Sequence, residues 1–313
     1  MVTPDWVTLR ILLAAAELGS ITRAAARCGI ATSAAAKRIQ ALEAECGLPL
    51  LERGARGVRL TAAGEALARH GRAAFGTLAR LEDELRALAA GGLGSARLHA
   101  TASSLSGHPL PEALAEFARL RPGIRVEVRE AVSLRILQDL LEGRADLGIV
   151  TSAGELPAGL EGKDWRQDRL LVVMPRGHRL AEAGPLPFDT VLDEELIGAV
   201  ESAALSLLLE EQAQRRGRSL RFRLHVASVD ANRRLVAAGL GIAVMPEGVA
   251  LPYEAALGLR CLPLAEPWAL RNLRLVSRPA ALLTPPARLL AGHLLAGHLP
   301  KELPPMENAP RVE

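Results

Sequence analysis

Residues 20–61 read SITRAAARCGIATSAAAKRIQALEAECGLPLLERGARGVRLT, and the signals run helix, tight turn, second helix, then a short arginine-bearing hairpin. Ser20 is suited to cap the first helix, because its hydroxyl can accept an orphan N–H of the first turn. That helix is short and alanine-rich, and Ala24, Ala25 and Ala26 are small enough to let another helix approach closely. Gly29 suits the left-handed residue that closes it. Thr32 or Ser33 is expected to cap the second helix, with Ala35, Ile39 and Leu42 on one apolar stripe. Lys37, Arg38 and Gln40 lie off that stripe and are expected to be free to meet a partner. Such a helix fits the recognition element whose N-terminal residues face base edges in a major groove.

The hairpin supports this reading. Leu50 and Leu51 lead into Glu52-Arg53, a tip of Gly54-Ala55-Arg56-Gly57, and a return through Val58-Arg59-Leu60. Glycines permit the reversal, and arginines at a tip suit the phosphate backbone or a narrow minor groove. Together the elements outline a winged helix-turn-helix. The plainer alternative is an αα-hairpin followed by a solvated charged loop.

Charge is distributed in the same sense. The 313-residue chain carries a formal charge of +3, too small by itself to announce nucleic acid. Residues 1–60 hold eight basic side chains against five acidic ones, so the excess resides there and the remainder balances. Three widely spaced cysteines (Cys28, Cys46 and Cys261) argue against a disulfide scaffold and for a reducing cytoplasm. No uncharged apolar run is long enough to span a bilayer, and Arg10 and Glu17 interrupt the N-terminal one, so neither a membrane span nor a secretory signal is expected. The histidines show no metal-ligand spacing, and no metal or cofactor is expected.

Thr61 is expected to cap a long helix reaching about Ala90. Leucines or small residues recur along it at 67, 71, 74, 78, 81, 85 and 88, the seam of a coiled coil. A second copy of the chain is the expected partner; packing on the chain's own body is the alternative. Beyond Gly94 strands alternate with helices, which implies α/β layers with mainly parallel sheets. Strand ends there carry small hydroxyls at Ser103-Ser104, Ser133, Thr151-Ser152 and Ser202, and Asp230 is read as another helix cap. Converging, they would make a polar pocket for a carboxylate or similar small anion; singly, each is a cap.

The chain resembles the LysR-type transcriptional regulators along essentially its whole length. The resemblance rests on GSITRAAA (19–26), SAAAKRIQALE (33–43), GLPLLERGARGVRLTAAG (47–64), LPEALAEF (110–117), RPGIRVEV (121–128), EGRADLGIV (142–150) and VAAGLGIAVMPE (236–247). It implies a winged helix-turn-helix at 1–60, a linker and dimerisation helix at 61–92, and an effector domain at 93–300 like a type II periplasmic binding protein. Lobe one is placed at 94–163 and 268–300 and lobe two at 164–267, and 301–313 is expected to be a disordered tail.

The DNA-reading positions implied are Thr32, Ser33, Ala36, Lys37 and Arg38, with Arg53 and Arg56 on the wing. The effector positions implied are Ser103, Ser104, Ser133, Thr151, Ser202 and Asp230, with no catalytic residue. Partners implied are double-stranded DNA with a near-palindromic operator, a small-molecule effector, a homodimer or homotetramer, and RNA polymerase. Ala36 stands where the family usually has serine, Cys28 where leucine is usual and Leu51 where phenylalanine is usual. The alternative function is a solute-binding protein or enzyme on the same two-lobed fold. No nucleophile–base pair at recognisable spacing supports it, and it leaves the basic N-terminal segment unexplained.

Overall fold

A computed structural model describes residues 5–54, 57–89, 92–151, 154–199 and 204–296, except for a few side chains late in the long helix. Arg56, Ser202, Ser152 and the tail 301–313 therefore lie outside the described residues. The chain divides into two compact units, the first holding the N-terminal helices and most of the long helix.

In the first unit the N-terminal apolar run is helix α1 (Trp6–Leu18). The Asp5 carboxylate caps it, accepting from the amides of Val7 and Thr8 at 2.9 and 3.0 Å. Helices α2 (Ile21–Arg27) and α3 (Thr32–Cys46) follow, and Ile11, Leu12, Ala24, Ala25, Ile39 and Leu42 close a small core. Ser20 caps α2 as read, accepting from the Arg23 amide at 3.3 Å, and Gly29 takes the left-handed conformation. The cap of α3 differs: Ala31 occupies it with no side-chain bond, and Thr32 and Ser33 are exposed first-turn residues.

Strands β1 (Leu51–Gly54) and β2 (Gly57–Leu60) pair antiparallel as the wing. Glu43 of α3 holds its base, one carboxylate oxygen accepting from the amides of Leu50 and Leu51 at 2.8 and 3.1 Å. The return strand docks on the α1–α2 turn, where the Val58 amide donates to the Gly19 carbonyl at 3.0 Å. Helix α4 (Ala62–Ala89) begins at Thr61, whose hydroxyl accepts from the Gly64 amide at 3.0 Å. Early in α4 the seam packs on its own chain, with Gly71 against Leu9. Further along, the described seam residues Leu78, Leu81 and Leu85 are 36%, 51% and 58% exposed.

The second unit opens with β3 (Gly94–Ala100), α5 (Ala102–Gly107), α6 (Leu110–Leu120), β4 (Ile124–Glu130), α7 (Ser133–Leu141) and β5 (Leu147–Thr151). Strands β4, β3 and β5 pair in parallel. The long strand β6 (Glu161–Pro175) follows, then α8 (Phe188–Leu192), β7 (Leu196–Gly198), α9 (Ala204–Gln214), β8 (Phe222–His225) and α10 (Val229–Ala237). The chain continues through β9 (Ala243–Pro246), α11 (Glu247–Ala250), β10 (Leu259–Pro263), β11 (Leu270–Ser277) and α12 (Pro285–Ala296).

Two lobes result, because β6 changes partners along its length. From Glu161 to Arg169 it pairs with β11, which also pairs with β5; from Leu170 to Pro175 it pairs with β9 and β10. Each lobe has its own core, around Leu98, Phe117, Ile149 and Leu290 in one and around Val172, Phe188, Leu209 and Leu264 in the other. The expectation of mainly parallel sheets is corrected: every pairing of β6 and β11 is antiparallel. These two strands carry the chain between lobes in opposite directions, and no helical crossover, the device that makes neighbours parallel, joins them directly.

The wing depends on a glycine. Gly57 has φ +113°, and a Cβ there would lie 2.2 Å from the Gly19 carbonyl oxygen. Gly57→Ala should therefore destabilise the protein by about 1–3 kcal/mol. At Gly54, with nothing within 4 Å of its Cβ position, Gly54→Ala should be nearly silent. Denaturant unfolding of both variants checks the difference.

Candidate functional site

Two surfaces carry the sequence-predicted residues, one in each unit. On α3 the buried stripe of Ala35, Ile39 and Leu42 fixes which side faces outward. At about 100° per residue, Thr32, Ser33, Ala36, Lys37 and Gln40 share one side, and all but half-buried Ala36 are exposed. The side chains of Lys37 and Arg53 are exposed and make no hydrogen bond or ion pair among the described residues. Arg38 does not belong with them. It lies near the opposite side of α3, where Nη1 donates to Asp5 Oδ2 at 3.1 Å and to Thr8 Oγ1 at 3.3 Å. The Thr8 hydroxyl and amide, with help from Arg38, hold the Asp5 carboxyl below its ordinary value. The expectation of a free Arg38 is corrected: it ties α3 to the start of α1.

The second surface is a cleft of about 320 Å³ between the lobes. The carboxyl ends of β3, β4 and β5 deliver Thr101, Ser103, Ser133 and Thr151 to one wall. The other lobe contributes Ser228 and Asn232, and an apolar surface that includes Leu205, Val226, Val244 and Met245. Three of the six anticipated residues (Ser103, Ser133 and Thr151) thus converge. Ser104 is fully buried behind the wall, its hydroxyl hydrogen-bonded to that of Thr101 at 2.7 Å. Asp230 is not part of the wall and is not the helix cap. Ser228 caps α10, accepting from the Ala231 amide at 3.3 Å, while Asp230 pairs along the exposed surface with Arg234 at 2.8 Å.

Two buried polar atoms in the cleft walls lack a hydrogen-bond partner among the described residues, Ser133 Oγ from one lobe and Asn232 Oδ1 from the other. The Asn232 amide is oriented by its own Nδ2, which donates to the Ile197 carbonyl at 3.3 Å. Such atoms are costly when desolvated and unpaired. Thr101, Ser228, Asn232 and Arg271 escape the sequence reading. For Ser228 a cue exists, a hydroxyl just before the helix, but Asp230 competes with it as a cap.

Arg271 lines the cleft and is 7% exposed. Its guanidinium grips fully buried Asp168 in bidentate fashion, Nε to Oδ1 at 2.7 Å and Nη2 to Oδ2 at 2.5 Å. The two residues face each other across the β6–β11 ladder, and His108 Nε2 approaches the same carboxylate at 3.4 Å. Burial pushes the Asp168 carboxyl up, but the bond to His108 and the charge of Arg271 outweigh it and hold the group below its ordinary value. Glu247 of α11 is pushed up by burial and by the Asp168 charge. Beside them α5 meets α11 with almost no space: a Cβ on Gly248 would lie 1.8 Å from the Gly107 carbonyl oxygen.

Cys261 is buried on β10, and burial together with Glu254 pushes its thiol up to about 12. It supplies no thiolate at neutral pH. Among the described residues no helix is long and apolar enough to cross a membrane, and no cluster of potential ligands could hold a metal ion.

Known proteins match both parts of the chain. Residues 6–65 match the model of the bacterial regulatory helix-turn-helix proteins of the lysR family, and residues 84–298 match the LysR substrate binding domain. The chain is 26% identical over 280 residues to the uncharacterized HTH-type transcriptional regulator YbhD of Escherichia coli (strain K12), covering 90% of this chain and 87% of that one. It superposes on the crystal structure of CbnR, a LysR family transcriptional regulator, with a TM-score of 0.63 at 21% identity, covering 95% of this chain and all 100% of that one. It also superposes on the effector binding domain of QuiR in complex with shikimate, with a TM-score of 0.58 at 21% identity, covering 66% and 97% of the two chains. A DNA-reading module followed by a two-lobed domain, matched in both parts by family models, is a regulator rather than an enzyme: the chain belongs to the LysR family of bacterial transcriptional regulators.

Proposed function

We propose that this regulator acts as a cytoplasmic homo-oligomer that reads DNA through α3 and the wing and takes a small-molecule effector between its lobes. The cleft carries the effector reading: both lobes bring hydroxyl or amide groups to one cavity, and one buried polar atom from each lacks a partner there among the described residues. The reading also uses the division into a DNA-binding segment 1–60, a linker 61–92 and an effector domain 93–300, with lobe one at 94–163 and 268–300. An occupant that binds one closure of the lobes better than another shifts the population toward it, and only such differential affinity can do so. A transport binding protein or enzyme on the same fold would leave the DNA-reading module without a task.

The DNA contacts proposed are Thr32, Ser33, Ala36 and Lys37 on α3 and Arg53 on the wing, with Arg56 retained from the sequence. Ala36 supplies no hydroxyl, so any hydrogen bonds to base edges from α3 rest on its neighbours. Arg38 is left out because its charge is engaged by Asp5. Dimerisation is assigned to the later part of the α4 seam, since three exposed leucines on successive turns are the surface a second α4 would bury. Two reading heads on a fixed spacer then suit a near-palindromic operator.

Three measurements test these assignments. Lys37→Ala or Arg53→Ala should weaken binding to duplex DNA, and removing one cation from a phosphate should flatten the salt dependence by about 0.9 in slope. Arg38→Ala should lower the melting temperature and leave the slope unchanged; anisotropy titrations at several salt concentrations separate the cases. Leu81→Lys with Leu85→Lys should shift the sedimentation profile toward monomer at micromolar concentration. Fractions of a bacterial metabolite extract that raise the melting temperature of the wild-type protein should fail on Ser103→Trp, which fills the cleft.

A further inference from the structure

The cleft contains one cation among its described lining residues, and that cation is already paired with a buried carboxylate. Arg271 forms two charge-assisted bonds to Asp168, which has no exposed surface and receives a third contact from His108. Neither Lys nor Arg occurs in the two undescribed segments that adjoin lining residues, 152–153 and 200–203. The only other charged residue among the described lining is Glu130, which repels anions. What remains is a mainly apolar surface with hydroxyls on one wall and, on the other, the Ser228 hydroxyl and the amide of Asn232.

We infer that Asp168 sets the charge class of the effector by cancelling Arg271, so that the cleft admits a neutral or singly charged molecule with an apolar body and a hydroxyl or amino donor, and rejects multiply charged anions. The inference rests on the proposed effector role of the cleft. A single carboxylate can be received by the hydroxyls of Thr101, Ser103, Ser133 and Thr151. A second carboxylate would enter an apolar wall beside Glu130 with no unpaired cation among the described lining residues to offset its desolvation. On the wall of the other lobe a ligand methyl makes no use of the Ser228 hydroxyl or the Asn232 amide, whereas a ligand hydroxyl can bond to them. The volume of about 320 Å³ lies at the small end for ligand cavities and suits a compact molecule.

Matched probes test this on the full-length protein by calorimetric titration. In one series hexanoate, 6-hydroxyhexanoate and adipate share a carbon chain and differ only at its far end; in the other, 4-hydroxybenzoate is set against terephthalate. At least one hydroxy-monoacid should bind, and about tenfold or more tighter than its dicarboxylate partner. Asp168→Asn frees the Arg271 charge and should narrow or reverse that preference. Should that variant fold poorly, the neutral pair Asp168→Asn with Arg271→Gln should keep the wild-type preference, because the charge it removes is one the ligand does not read. Equal or tighter binding of a dicarboxylate to the wild type, no binding by either hydroxy-monoacid, or loss of the preference in the neutral pair would each overturn the inference. Ser103→Trp tells the two levels apart. If it abolishes whatever binding is seen, the cleft remains the effector site and only the charge class has failed; if binding survives, the site itself is wrong.

Discussion

Everything in the second unit depends on one pair of neighbouring strands. β6 and β11 are the path by which the chain leaves one lobe and returns from the other, and Asp168 and Arg271 face each other across that ladder. A carboxylate with no exposed surface is tolerable only when its charge is matched and its lone pairs are filled. Arg271 and His108 meet both demands. The same pair therefore does two things. It fastens the strands where both lobes must hinge, and it removes from the cleft wall the only cation among the described lining residues.

The first unit is held by shorter-range constraints, which is why so much of it was legible. Ser20, Gly29 and the stripe Ala35–Ile39–Leu42 act within one or two helical turns, and each occupies the role its spacing implied. Arg38 shows where such reading stops. Periodicity places it off the buried stripe, but the charge that engages it sits on Asp5, 33 residues away. Glu43 is similar: inside a helix it reads as a solvated acid, and only the folded wing shows its carboxylate receiving two strand amides.

The cleft was legible in outline and not in detail, for the same physical reason. Hydroxyls at strand ends are local signals, so Ser103, Ser133 and Thr151 could be anticipated. Arg271 could not, because its meaning depends on a carboxylate 103 residues distant. The polar run Glu161–Asp168 likewise looks unlike a strand, since its first half pairs at the crossover instead of filling a core. Reading Asp230 as a cap failed because a better one, Ser228, stands two residues earlier.

The contact between α5 and α11 has a mechanical consequence. Gly107 and Gly248 bring two backbones together so closely that no side chain fits between them. At that edge the lobes have reached a hard stop, and their relative motion is one-sided: they can part but cannot press nearer. A bound molecule thus has two ways of acting, as a wedge that props the stop open or as an adhesive that keeps it shut. Which of the two a given compound does decides whether it opposes or keeps the resting geometry at that edge.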